Sequence, residues 1–124
     1  MKRVACRLPA LLKEELNQVV RASSYGPKGK SRWVREALEA LFLEDPNLIT
    51  VGVGEYLERN DAEEGFLLAP EQVENLEEGI RLIRSQNPWA EGVRSAIIRA
   101  AIRQRIGLVA VTATDCKKAD NPLI

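Results

Sequence analysis

The chain opens on a short alternation. Val4, Cys6 and Leu8 stand between Arg3, Ala5 and Arg7, so an extended strand turns three apolar side chains one way and two arginines the other. Such a strand needs a partner for its backbone donors and acceptors. Directly behind it, Pro9 suits the first turn of a helix, where its missing N–H costs nothing. Leu12, Leu16, Val19 and Val20 then recur at helical spacing, with Lys13, Glu14, Glu15, Asn17, Gln18 and Arg21 on the other face, which predicts a helix ending near Ser23. Gly26, Pro27 and Gly29 mark a turn over residues 24–30. Ser31 suits the N-cap of a second helix, whose apolar stripe is Val34, Ala37, Leu38, Leu41 and Phe42 and which closes at Asp45-Pro46.

Residues 46–64 read as a structured linker. Ile49, Val51 and Val53 alternate with Thr50, Gly52 and Gly54, predicting a short strand, and an acidic stretch follows from Glu55 to Glu64. The opening pattern then returns. A second strand over 65–69 leads into Pro70, a helix carries Val73, Leu76, Ile80 and Ile83, and a turn at Ser85-Gln86-Asn87-Pro88 precedes another helix with Val93, Ala96, Ile97, Ala100 and Ala101. Those five positions have the mutual spacings of Val34, Ala37, Leu38, Leu41 and Phe42. The unit strand, helix, turn, helix therefore occurs twice, over 1–45 and 65–106, offset by about sixty residues. Pairing of its two strands makes residues 1–106 one folding unit. The tail, 107–124, carries a β-prone run from Leu108 to Thr114 that is expected to pair with residues 49–53.

Composition narrows the class. With 124 residues, 45 % apolar and 29 % charged, the chain reads as one soluble globular domain. No apolar run approaches a membrane span, and a charged strand stands where a secretory signal would be, so a cytoplasmic location is expected. The formal net charge is zero, but residues 1–45 hold nine Lys/Arg against six Asp/Glu while residues 46–105 hold seven against ten. A polyanion would be met by the first part. The two cysteines, Cys6 and Cys116, lack metal-type spacing, and Cys6 reads as a small buried hydrophobe. There is no histidine, and nothing groups the acidic residues with a base, nucleophile or metal ligand. No catalytic residue, metal site or cofactor is therefore expected.

A short alternating strand followed by two helices resembles the ribbon-helix-helix (MetJ/Arc-like) family of DNA-binding proteins. The resemblance covers residues 2–44 and, less closely, 65–105. It implies a mainly α fold in which two ribbon-helix-helix repeats form one pseudo-symmetric unit around a two-stranded antiparallel ribbon. That tandem form looks like some conjugation and DNA-transfer accessory proteins. Arg3, Ala5 and Arg7 then become the positions entering the major groove, where arginine can bond a guanine edge through two donors. The start of the second helix, at Gly29, Lys30, Ser31 and Arg32, becomes a phosphate site, with Lys2 and Lys28 as helpers. In the second copy Asn87 caps the last helix, and Trp89 lies against the DNA backbone.

Setting Pro70 on Pro9 places Glu64, Phe66 and Leu68 outward, none of them a base-reading residue. The second strand is then either degenerate or misaligned by one residue, which would exchange its faces. The structural alternatives are plain: a solvated face for Arg3 and Arg7, packing roles for Trp33 and Trp89, and for Arg94, Arg99 and Arg103 a solvated face or pairs with the acidic helix from Glu71 to Glu78. The functional expectation is a sequence-specific double-stranded DNA-binding protein, an accessory factor for plasmid or mobile-element DNA processing or a transcriptional repressor. Further copies of the chain or other DNA-processing proteins are its expected partners. The rival is a protein-interaction module such as an antitoxin with weak or regulated DNA binding.

Overall fold

The structure, a computed structural model, describes residues 1–26, 28–53, 55 and 59–119, with side chains described as far as Gly107. It is mainly helical, with one two-stranded antiparallel sheet, in the order β1 (Lys2–Leu8), α1 (Ala10–Ala22), α2 (Lys30–Glu44), β2 (Ala62–Leu68), α3 (Pro70–Gln86) and α4 (Val93–Ala119). No helix among the described residues is long and apolar enough to cross a membrane.

The alternation in β1 does what its period dictates: Val4, Cys6 and Leu8 are buried and Arg3, Ala5 and Arg7 exposed. A lone two-stranded sheet is marginal in water, and the helices supply the surface this one needs. Beneath it α2 and α4 form the most extensive helix pair. Leu12, Leu16 and Val20 of α1 close one side of the core, and Leu76 of α3, with Val73, Ile80 and Ile83 half-buried, closes the other. One continuous apolar cluster thus draws on every element. Burial pushes the Cys6 thiol within it up to about 11.

The second strand is longer than its sequence suggests and lies in another register. It begins at Ala62, three residues before the expected start, and pairs Arg3 with Leu67, Ala5 with Gly65 and Arg7 with Glu63. Phe66 and Leu68 are fully buried, so Glu63, Gly65 and Leu67 face outward in place of Glu64, Phe66 and Leu68. The offset comes from the prolines. Pro9 occupies the extended cap position before α1, whereas Pro70 is the first residue of α3 and Ala69 holds the cap.

Residues 49–53 form turns and no strand. The Asp45 carboxylate organises them, accepting from the Ile49 and Thr50 amides at 3.1 and 2.9 Å and from the Thr50 hydroxyl at 2.5 Å. These bonds hold Leu48 at φ 55°, buried against α3. There Gly79 lets the two approach, since a Cβ on it would stand 2.8 Å from Leu48 Cδ1. With no strand at 49–53 to pair with, residues 107–119 continue α4, which satisfies its own backbone groups without a partner. Residues 120–124 lie outside the described residues.

Candidate nucleic-acid interface

The exposed face of the sheet is a ribbon of three cross-strand pairs, Arg3–Leu67, Ala5–Gly65 and Arg7–Glu63. The middle pair has almost no side chain, and the Arg3 guanidinium lies diagonally across it. A Cβ built on Gly65 would stand 2.6 Å from that group. At the other end Arg7 Nε donates to the Asn60 carbonyl at 3.3 Å. Lys2 shares the parity of Val4 and leans to the helix side of the ribbon end, exposed. Arg3, Ala5 and Arg7 are thus brought together on one accessible surface.

Both outer edges of this ribbon are held by helices, through matching side chains. On the β2 edge Ser31 Oγ accepts from the Leu67 amide at 3.0 Å, and Arg35 donates to the Leu67 carbonyl at 3.0 Å. On the β1 edge Ser95 Oγ accepts from the Arg7 amide at 3.2 Å, and Arg99 donates to the Arg7 carbonyl at 2.6 Å. In each helix the serine and arginine lie one turn apart on one face. Their surroundings differ. Arg35 lies at an exposed edge, whereas Arg99 is buried and clasps Glu55 through two bonds, at 2.6 and 3.0 Å. Arg103 also bonds Glu55. Burial pushes the Glu55 carboxyl up, but the Arg99 and Arg103 guanidiniums outweigh that, and its pKa falls below the ordinary value. Arg99 and Arg103 therefore pair with the linker, contrary to the expected solvated face or pairing with α3.

Beside the β2 edge stands the start of α2. Ser31 is the second residue of this helix, so it is not the N-cap; that position is Gly29, and no side chain caps it. The first amides of the helix have no intrahelical partner, which favours an anion there. Gly29 is required because a Cβ would lie 2.2 Å from that of Tyr25. Tyr25 in turn lies under Arg32, 4.5 Å from its ring centre, and bonds Glu36. That bond foremost, with Arg105 adding to it against the cost of burial, holds the Glu36 carboxyl below its ordinary value. Lys28 flanks the turn. Lys30 pairs with Glu64 at 3.1 Å, and Lys13 approaches the same carboxylate at 3.7 Å.

The second expected phosphate site is rearranged. Asn87 closes α3, its amide donating to the Ile83 carbonyl, and α4 starts at Val93 after Gly92 at φ 61°. Asn87 thus does not cap α4, and Trp89 is 87 % exposed in the connection and packs in no core. Trp33 is buried as a packing residue should be. The basic residue at the start of α4 is Arg94, which precedes Ser95 as Lys30 precedes Ser31 in α2. Sequence reasoning also missed the Ser–Arg pairs. Their signal was present, since Ser31-Arg32-Trp33-Val34-Arg35 and Ser95-Ala96-Ile97-Ile98-Arg99 share serine, two apolar residues and arginine in step. Among the described residues no group of three or more acidic or cysteine side chains is placed to hold a metal ion.

Compared with known proteins, the chain matches no family model, no curated protein and no solved structure.

Proposed function

We propose that the chain binds double-stranded DNA, laying the ribbon in the major groove with Arg3, Ala5 and Arg7 toward the base edges. The observation carrying this reading is the exposed antiparallel ribbon, whose width suits that groove and whose face bears two arginines beside an uncapped helix start. Phosphates on one side meet Lys28, Lys30 and, after Gly29, the amides from Lys30 to Arg32; on the other they meet Arg94 and the exposed Trp89. The chain acts as two ribbon-helix-helix repeats about a pseudo-two-fold axis between Ala5 and Gly65. The equivalence of Ser31 and Arg35 with Ser95 and Arg99, each pair holding the opposite repeat's strand, supports that symmetry. One unit makes few base contacts, so copies bind side by side, as befits an accessory factor in plasmid or mobile-element DNA processing or a repressor.

Fluorescence anisotropy with a labelled random-sequence duplex tests this directly. Binding should fall by several orders of magnitude as salt rises, because several phosphates are neutralised. Arg3→Ala/Arg7→Ala should erase the guanine preferences that the two arginines read while leaving the salt-dependent binding. No binding at low salt would refute the proposal.

A further inference from the structure

Resting on the DNA-binding reading, we infer that the ribbon reads a non-palindromic site, with β2 as an active half whose base-reading residues are Glu63 and Leu67. The register carries this. An axis between Ala5 and Gly65 exchanges Arg3 with Glu63 and Arg7 with Leu67. A ribbon of two identical strands would present the same pair at both ends. Here one end presents Arg3 with Leu67 and the other Arg7 with Glu63, and neither arginine has an arginine for its symmetry mate.

The chemistry of the two ends follows. At one end Arg7 supplies paired donors for guanine O6 and N7, and the neighbouring Glu63 supplies only acceptors, which suit the cytosine amino group. A carboxylate turned to the groove is repelled by phosphate unless such a donor meets it, so it selects against sites lacking a cytosine there. At the other end Leu67 is 45 % exposed beside Arg3 and offers apolar contact, which suits a thymine methyl next to a guanine. Between them the Ala5–Gly65 pair leaves the backbone bare, and Arg3 lies across Gly65 in the free protein. That close approach lets the ends reach the groove floor.

Selection from random duplexes, run in parallel with the native chain, Glu63→Gln and Leu67→Ala, decides it. Both side chains are exposed, so the variants keep the native circular dichroism spectrum and thermal midpoint. The native chain should enrich a motif without two-fold symmetry. Glu63→Gln should move the preference from cytosine toward adenine at one base pair, by on the order of tenfold, because glutamine both donates and accepts. Leu67→Ala should weaken a thymine preference at the other end. A palindromic native motif, or one that neither variant alters, overturns the asymmetric reading and leaves DNA binding intact. If the native chain enriches no motif although it binds duplex in anisotropy, base reading by either strand is lost. If it binds no duplex at all, the proposed function fails and this inference with it.

Discussion

The Arg99 guanidinium donates to the Arg7 carbonyl at 2.6 Å. The residue whose side chain faces outward on the ribbon is therefore fixed from behind by a buried cation on α4. That cation is held in turn by Glu55 of the linker, so the strand, the last helix and the linker share one polar joint.

Removing Arg99 should be far more costly than removing Arg35, although both grip a strand carbonyl. Arg99→Ala strips the half-buried Glu55 of two bonds and the Arg7 carbonyl of its donor, and loss of one partner from a buried pair costs about 3 kcal/mol or more. Arg35→Ala removes exposed bonds to the Leu67 carbonyl and the Met1 sulfur, together worth about 1 kcal/mol. Urea denaturation of the two variants checks this, and equal losses would contradict the joint.

Acid should weaken the fold. The carboxyls of Glu55, Glu36 and Asp45 are all held below their ordinary values. For Asp45 burial acts upward, and the bonds from Thr50 and Ile49 outweigh it. A depressed folded-state pKa contributes stability present above the unfolded-state value, about 4, and lost as pH falls through the folded-state value. The urea midpoint should be flat near neutrality and drop below about pH 4. In Glu55→Gln that drop should be shallower, from a lower starting midpoint.

Glu64 restrains the basic end of the ribbon by holding both Lys30 and Lys13. Glu64→Gln removes the charge that pairs with them, although Lys13 keeps its bond to the Glu63 carbonyl. Duplex affinity at low salt should rise several-fold, and the dependence of log K on log salt should steepen by about one. Anisotropy titrations at three salt concentrations measure both, and an unchanged slope would place the two lysines away from phosphate.

Two glycines should respond oppositely to alanine. At Gly29 the new methyl meets Tyr25 Cβ and its backbone at 2.2 and 2.9 Å, which cannot yield cheaply, and about 1–3 kcal/mol should be lost. At Gly65 its nearest contacts are with the movable end of Arg3, and stability should stay within about 0.5 kcal/mol. Thermal midpoints distinguish them.

What was legible in the chain is what period alone dictates. Alternation places Val4, Cys6 and Leu8 inward, and the helical stripe of Leu12, Leu16 and Val20 faces the core. Helix boundaries tied to a single residue type failed, because Pro9 caps and Pro70 starts a helix, and that one-residue difference reverses the faces of β2. The run from Leu108 to Thr114 looks β-prone by composition, but conformation there follows the helix already under way, for which no pairing strand competes. Most hidden was Glu55. Its partners lie 44 and 48 positions away, and nothing in an acidic stretch distinguishes the member that meets two arginines.

The serine and arginine seated at each outer edge of the ribbon also limit how far the sheet can grow. A third strand from another molecule would have to break the bonds at Leu67 or Arg7 before making its own. Copies bound side by side on one duplex, as proposed, would then touch through their helices, with each ribbon still two strands wide, the width a groove admits.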